Sequence, residues 1–268
     1  MERETITSVH NAKVRRYLLL QQKSSERRQS GCFVLEGRRE LHHALSAGYK
    51  IDTLFVCRPL SGEQFLSEKC PPGANVVDVT PAVYSRMAYR ESTEGCAAIL
   101  RSRERRLTDL SLSSRPLLMV LESVEKPGNL GAILRSADAA AADAVIVCDP
   151  LTDLYNPNLI RASLGAVFTV PVVSCTSEEA QDFLSAHGIA ILTAQLQDSE
   201  LYYQTDMTRP VALVFGAEDK GLSDSWREKA DAHIRIPMAG MMDSLNVSVS
   251  AAILAFEAVR QRNEKKGV

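Results

Sequence analysis

The stretch Ile236-Pro-Met-Ala-Gly-Met-Met-Asp-Ser-Leu-Asn-Val-Ser-Val-Ser250 decides the fold that this chain is expected to adopt. An apolar run typical of a strand ends at Ile236, and Pro237 lacks the N–H that a further ladder hydrogen bond would need. A long helix is predicted to follow, from about Leu245 to Arg262. An N-cap accounts for one polar side chain at the start of such a helix. It does not account for four together: Ser244, Asn246, Ser248 and Ser250.

Two earlier segments also combine glycines and polar residues after an apolar run. Both Glu125-Lys-Pro-Gly-Asn-Leu-Gly-Ala-Ile-Leu-Arg135 and Phe215-Gly-Ala-Glu-Asp-Lys-Gly-Leu-Ser223 follow strand-like apolar runs and combine glycines with polar groups. Ligands of open α/β sheets bind at the carboxyl ends of strands, so the three segments predict a ligand site. The first segment contains Gly-x-x-Gly, which is not the Gly-x-Gly-x-x-Gly fingerprint of dinucleotide-binding folds. A nucleotide-binding oxidoreductase is therefore disfavoured.

The order of strand-like and helical patterns predicts the organisation of the chain. From Pro116 onward the two patterns alternate, which indicates a mostly parallel sheet covered by helices on both faces. Alternating elements also predict a small α/β domain in residues 1–105, where residues 3–30 look helical and solvated. Residues 106–115 are charged and serine-rich without an apolar period, which is typical of a linker. The second domain is then predicted to comprise residues 116–268, with a helix over residues 158–167.

The net charge of −2 is the sum of two unlike halves. Residues 1–115 carry 19 Lys and Arg against 13 Asp and Glu, whereas residues 116–268 carry 12 against 20. A basic front half indicates a polyanionic partner for that half, with Arg15, Arg16, Arg27 and Arg28 as expected contacts.

Cysteine usage and the N-terminal composition indicate a cytoplasmic protein. Six cysteines are scattered without a Cys-x-x-Cys, which argues against both a zinc site and a disulfide framework. Cys57 and Cys148 lie in apolar runs and are interpreted as buried thiols. The N-terminus is polar and basic, and no apolar run approaches the ~20 residues that span a bilayer.

Order, spacing and content of the three segments resemble the motifs of the SpoU/TrmH family, knotted RNA ribose 2′-O-methyltransferases that use S-adenosylmethionine. The resemblance covers most of residues 116–262, and Ser244-Leu-Asn-Val-Ser248 is its most specific part. It implies a deep C-terminal trefoil knot. Phe33-Val-Leu-Glu-Gly37 and Ser92-Thr-Glu-Gly-Cys-Ala-Ala98 resemble the substrate-binding domain that precedes many SpoU domains. The fold of that domain is similar to that of ribosomal proteins that bind kinked RNA.

The resemblance assigns roles to individual residues, and none of these residues is expected to bind a metal. The family pattern Asn-x-x-x-Ile-x-Arg is matched by Asn129, Ile133 and Arg135. Catalytic-pocket roles fall on Arg135, Asn129, Glu218, Ser244 and Asn246. Cofactor-binding roles fall on Gly216, Ile236, Leu245, Met238 and Asn246. A guanidinium is almost always protonated, so Arg135 is interpreted as a fixed cation that grips RNA phosphate and orients the 2′-hydroxyl.

The resemblance also implies the partners. Family members are obligate dimers, and the Phe256/Val259 face of the last helix is a candidate seam, although it could equally be core. Structured RNA is the expected substrate, with ribosomal RNA favoured over transfer RNA. A non-catalytic RNA-binding factor on the same fold is the alternative; it would be expected to lose Arg135 or Asn246, and both are present. Arg161-Ala-Ser-Leu-Gly-Ala166 resembles a further family segment, and Arg161 is an expected RNA or site contact.

Overall fold

The computed structural model describes residues 4–62, 73–89 and 94–264. Cys70 and the Ser92-Thr93 pair, which belong to the cysteines and to the motif described above, lie outside these ranges. The chain divides into two compact units, one from residues 1–103 with 153–169 and the other from residues 104–152 with 170–268. Neither unit is continuous in sequence.

The first unit is a small α/β domain. Its sheet has the strand order β1-β4-β3-β5-β2, in which β5 is antiparallel to both of its neighbours and the other pairs are parallel. The elements in chain order are β1 (Thr5–Ile6), α1 (Ala12–Gln22), α2 (Ser24–Ser30), β2 (Cys32–Glu36), α3 (Arg38–Ser46), β3 (Ile51–Val56), α4 (Arg58–Ser61), β4 (Val76–Val79), α5 (Pro81–Met87) and β5 (Cys96–Arg101).

The N-terminal segment is less solvated than predicted. It forms β1 and two helices in place of one helical stretch, because Lys23 adopts extended backbone between α1 and α2. Val14, Tyr17 and Leu20 recur on one side of α1 and are buried in the domain core, where the Tyr17 and Phe55 rings meet edge to face. The basic residues of the segment therefore flank an apolar face.

Arg27 is a buried structural residue, so its expected role as an RNA contact is wrong. Its side chain is only 5% exposed. The Nε group donates to Asp153 Oδ2 at 2.6 Å, and Nη1 donates to the Leu20 carbonyl at 2.6 Å. Arg16 is half-exposed but pairs with Asp52 at 2.6 Å. Arg15 and Arg28 are exposed and stay predicted RNA contacts.

Replacing Arg27 by methionine is expected to lower the free energy of unfolding by about 3–5 kcal/mol, because Asp153 would remain nearly buried without its cation. The measurement is urea unfolding followed by circular dichroism. Arg28→Met is the matched control and is expected to change stability by less than about 0.5 kcal/mol, since Arg28 is exposed. Equal stability of the two variants would show that the ion pair contributes nothing.

The second unit is built on one sheet with the strand order β10-β12-β9-β11-β6-β7-β8. All pairings of this sheet in the described residues are parallel, which confirms the predicted parallel sheet. It begins with β6 (Leu117–Glu122), α6 (Pro127–Ala139) and β7 (Ala144–Cys148). The chain then contributes α7 (Pro157–Ala162) and α8 (Ala166–Thr169) to the first unit. The second unit continues with β8 (Val172–Cys175), α9 (Ser177–Ala186), β9 (Ala190–Ala194), β10 (Glu200–Leu201), β11 (Val211–Phe215), α10 (Asp224–Glu228), β12 (Ala232–Arg235) and α11 (Val247–Glu264).

Residues 153–169 belong to the first unit, although the sequence pattern predicts them within a domain of residues 116–268. Aromatic packing is the physical reason. The rings of Tyr155 and Phe168 stack on Phe33 of β2, with centroids 4.4 and 5.7 Å away. The single helix predicted over 158–167 is broken where Leu164 and Gly165 take positive φ values of 54° and 88°. The other predicted domain bounds stay predictions.

The segment predicted as a linker is anchored in the second unit. It contains a short 3₁₀ turn, Leu107–Asp109, and Leu107, Leu110 and Leu112 pack against the buried cluster of that unit. These leucines are spaced too irregularly to form an apolar period typical of a helix or a strand.

The last helix has two apolar faces. Val247, Ala251, Leu254 and Ala258 are buried. On the predicted Phe256/Val259 face, Phe256 is 47% exposed and Val259 is half-buried. Val249, on the same side of the helix, is 46% exposed. Of the two interpretations left open for that face, core is therefore wrong for Phe256. Within the described ranges, no helix combines the length and apolar character needed to cross a membrane.

Candidate active site

The first two glycine-containing segments leave the sheet side by side. They follow β6 and β11, which are paired neighbours with Leu121 opposite Phe215. Because the two strands are parallel, both segments emerge at the same edge of the sheet. The third segment follows β12, which is separated from β11 by β9, and it returns to this edge through Asn246.

Three side chains, one from each segment, form a single hydrogen-bonded cluster. Asn129 donates through Nδ2 to Glu218 Oε1. Asn246 donates through Nδ2 to Asn129 Oδ1 and to Glu218 Oε1, both at 3.2 Å. Residues 89 and 117 positions apart in the chain are thus joined by short polar contacts. We call these three residues the polar cluster.

Lys126 is a member of the site that sequence reasoning missed. Its Nζ donates to Glu218 Oε2, and this hydrogen bond to the carboxylate raises the pKa of Lys126, so the ammonium stays charged. The carboxylate of Glu218 therefore accepts from a cation on one oxygen and from two amides on the other. The signal available was the position of Lys126 immediately before Pro127 at the start of a helix.

Asn246 has a second role as the cap of α11. Its Oδ1 accepts from the Ser248 backbone N–H at 3.0 Å and from the Ser248 hydroxyl at 2.6 Å. The same side chain thus fixes the start of α11 with its oxygen and joins the polar cluster with its nitrogen. Ser244 is exposed and makes no hydrogen bond within the described part of the chain.

Arg135 lies apart from the polar cluster. It is exposed on α6, six residues after Asn129. Six helical positions correspond to about 600° of rotation, so the two side chains leave α6 about 120° apart. Among the described residues, no hydrogen bond or ion pair joins Arg135 to Asn129, Glu218 or Asn246.

The glycines of the second segment close a tight turn. A Cβ atom on Gly216 would lie 2.2 Å from the Gly221 carbonyl carbon, and Gly221 has a φ of +67° that favours glycine. The Gly221 N–H donates to the Ala217 carbonyl at 2.9 Å. The atoms that approach Gly216 most closely are thus backbone atoms of the same turn, at Gly221 and Leu222. Glu122, buried at the end of β6, stabilises the turn: its Oε2 accepts a hydrogen bond from the Ser223 N–H at 2.8 Å.

The loop of residues 236–245 offers backbone groups to a ligand. No main-chain hydrogen bond is made by these residues within the described structure. Ile236 and Met238 are half-buried, and Leu245 is exposed. The loop can thus supply N–H and C=O groups next to apolar side chains, which is the usual lining of a small-molecule site.

A family model described as the SpoU rRNA Methylase family matches residues 116–256, which is more than half of the chain. The chain belongs to this family. A model described as the MRM3-like substrate binding domain matches residues 11–98. Both matches confirm the SpoU resemblance that the three segments and the front half carried.

Relatives of this SpoU protein include named enzymes. The 23S rRNA (guanosine(2553)-2′-O)-methyltransferase RlmP of Bacillus subtilis is 30% identical over 251 residues, which cover 94% of this chain and 97% of RlmP. The 23S rRNA (guanosine-2′-O-)-methyltransferase RlmB of Escherichia coli K12 is 36% identical over 233 residues, which cover 86% and 90%. The AdoMet-bound rRNA methyltransferase from Sinorhizobium meliloti has a similar crystal structure, with a TM-score of 0.88 and 31% identity over 96% of this chain and 97% of that one.

The described part of this SpoU protein contains no group of metal ligands. Across residues 4–62, 73–89 and 94–264, no three His, Cys, Asp or Glu side chains come together in a way that could hold a metal ion.

Proposed function

We propose that this SpoU protein transfers a methyl group from S-adenosylmethionine to a ribose 2′-hydroxyl of ribosomal RNA, most specifically 23S rRNA. The polar cluster carries the proposal, because it unites one polar side chain from each of the three segments at one edge of the sheet. The relatives support the substrate class, since RlmP and RlmB are both named for 2′-O-methylation of 23S rRNA.

The residues present fit the proposed cofactor. We propose that backbone groups at Gly216, Ile236 and Leu245 hold it, with Met238 as a wall and Asn246 beside it. The support is the loop of residues 236–245, whose main-chain donors and acceptors have no main-chain partners in the described structure. When bound, S-adenosylmethionine supplies a methyl group that its sulfonium has already made electrophilic.

The remaining catalytic work is orientation. In our proposal Asn129, Glu218 and Asn246 form a rigid wall of fixed donors and acceptors, and Ser244 adds a hydroxyl at its rim. Arg135 holds an RNA phosphate as a permanent cation and thereby positions the 2′-oxygen. It does not act as a general base, because a guanidinium stays protonated at neutral pH.

We also propose a homodimer that uses the outward face of α11. The support is the apolar surface on that face, where Val249 and Phe256 are each nearly half exposed. Phe256→Asp is expected to convert the dimer to monomers at micromolar concentration, because it would bury a charge in the seam. Sedimentation equilibrium measures the mass. Leu196→Asp, at an exposed position elsewhere, is the control, and a dimer that survives Phe256→Asp would exclude this seam.

Two finer features complete the proposal. The C-terminal segment is proposed to form a deep trefoil knot, which is supported by its return from β12 past β9 to Asn129 and Glu218. The location is proposed to be cytoplasmic. Free thiols support this location, since Cys32, Cys57, Cys96, Cys148 and Cys175 are unpaired.

The test is methyl transfer from methyl-labelled S-adenosylmethionine to total RNA from a strain that lacks the protein, with the product mapped for 2′-O-methylation. One labelled ribose in 23S rRNA is the expected result. Label confined to transfer RNA would overturn the substrate class. Cofactor binding without any transfer would favour the non-catalytic RNA-binding alternative, and a chain that binds no cofactor would overturn the assignment of the site.

A further inference from the structure

A cavity of about 670 Å³ opens on the first unit. Its apolar wall comes from β2 and α7, and its polar side chains come from the ends of α1, β2 and α7, from the start of α3, and from Tyr89 and Glu94. The residues that matter for its chemistry are Glu36, Arg39, Glu40, Tyr89, Glu94 and Arg161. Its volume lies within the range of small-molecule sites and exceeds that of one nucleobase.

Glu40 presents a partly unpaired carboxylate to this cavity. Its side chain is only 10% exposed. Oε1 accepts from Arg39 Nη2 at 3.2 Å, whereas Oε2 receives no hydrogen bond from the residues that the structure describes. Oε2 is not among the fully buried polar atoms that lack a partner, so it is open to the cavity and can accept from a ligand that brings a donor.

Gly37 has no Cβ atom, and this leaves room for the Glu40 carboxylate. A Cβ atom at position 37 would be 2.5 Å from Glu40 Oε2, and the φ of Gly37 is +105°. Any other residue would thus be strained there and would push the carboxylate away. The backbone at this turn is therefore adapted to the position of Glu40 Oε2.

A flat cation–aromatic pair forms the rim of the cavity. The Arg161 guanidinium carbon lies 4.4 Å from the centroid of the Tyr89 ring, and Tyr89 is 51% exposed. Hydrogen bonds fix the positions of both residues. Arg161 Nη2 donates to Asn158 Oδ1 at 3.2 Å, and the Tyr89 backbone N–H donates to Glu36 Oε2 at 2.8 Å. RNA-binding proteins stack unpaired bases on such planar groups.

The charges that line the cavity suit a nucleobase better than a phosphate group. Glu36, Glu40 and Glu94 place three carboxylates in it, against the guanidinium groups of Arg39 and Arg161. Carboxylates repel phosphate but accept N–H groups. Guanine presents two adjacent donors, N1–H and the 2-amino group, to the two oxygens of a carboxylate, and its O6 can accept from an arginine. Adenine and uracil offer no such pair of donors.

We propose that this cavity binds an unpaired guanine of the RNA substrate, with Glu40 accepting from its N1–H and 2-amino groups and the Tyr89–Arg161 pair stacking on its plane. The proposal deepens the proposed function and rests on it, since the base belongs to the RNA that is methylated. It assigns the first unit a role in reading a base as well as RNA shape.

The test is binding of two fluorescein-labelled pentaribonucleotides, UUGUU and UUAUU, to the full chain without cofactor. Wild-type protein is expected to bind UUGUU about tenfold more tightly, within the range that a bidentate base contact supplies. Glu40→Gln is expected to lose this preference, because an amide offers one acceptor where the carboxylate offers two. Glu26→Gln, which changes a carboxylate of α2 outside the cavity, is the matched control and is expected to keep it.

A second measurement does not depend on the folding of a variant. UUIUU, in which inosine lacks the 2-amino group, is expected to bind wild-type protein several-fold more weakly than UUGUU. Equal binding of UUGUU and UUAUU by wild-type protein would overturn the proposal, as would a preference that survives Glu40→Gln. Methyl transfer is measured in parallel: transfer without the guanine preference removes the base site alone, and the preference without transfer removes the proposed function alone.

Discussion

Asn246→Asp is expected to lower the rate of methyl transfer to rRNA by at least about 100-fold, the loss that follows when one fixed hydrogen-bond donor is removed from an active site. The change removes the Nδ2 donor that joins Asn129 and Glu218 and places a second carboxylate beside Glu218. It keeps the oxygen that accepts from Ser248, so α11 retains its cap. The rate is measured in single turnover with labelled S-adenosylmethionine.

Comparison with Asn246→Ala separates the two roles of this residue. Alanine removes both the cap and the donor, so that variant is expected to be less stable by about 1 kcal/mol as well as inactive. Thermal unfolding of both variants provides the control for folding. Turnover of Asn246→Asp at the wild-type rate would show that the polar cluster is structural only.

Gly216→Ala is the second change with a large expected effect. The new Cβ atom would lie 2.2 Å from the Gly221 carbonyl carbon and 2.4 Å from the Leu222 nitrogen, and neither backbone atom can move without opening the turn. We expect S-adenosylmethionine to bind more than about tenfold more weakly, which corresponds to about 1.4 kcal/mol. Isothermal titration calorimetry measures the affinity directly.

Gly128→Ala is the matched control for that measurement. Gly128 lies in the first segment, and a Cβ atom built on it meets no other atom within 4 Å. Alanine is also the better helix former at this position in α6, so the affinity and the stability are expected to be at least those of wild type. If Gly216→Ala bound the cofactor as tightly as Gly128→Ala, the turn would have no part in the cofactor site.

Buried strands were the most predictable elements. The apolar runs Ala144–Cys148 and Val211–Phe215 both form strands over their whole length, because short apolar runs between turn residues have few alternatives to a fully buried parallel strand. The broken helix of residues 157–169 was not predictable in the same way. Its interruption depends on the backbone at Leu164 and Gly165, and its membership of the first unit depends on rings that stack on Phe33, far away in sequence.

Side-chain pairing was the part that sequence patterns could not supply. Arg27 belongs to a basic run that looks solvated, yet it is buried by a carboxylate 126 positions away. The sequence pattern does not assign Lys126 to the site, because its partner Glu218 lies in another segment. Asn129, Glu218 and Asn246 were each predicted for the site from the SpoU resemblance, but their mutual hydrogen bonds are visible only in the structure.

Residues 153–169 have a consequence for how this protein can be divided. They lie inside the range that matches the SpoU methylase family, residues 116–256, yet they complete the core of the first unit around Phe33. A fragment of residues 1–105 would leave Phe33 without its two stacked partners, and a fragment of residues 116–268 would carry Tyr155 and Phe168 with nothing to cover them. Each unit is therefore encoded by two separate stretches of the gene. A recombination event with a single junction cannot exchange one whole unit between relatives.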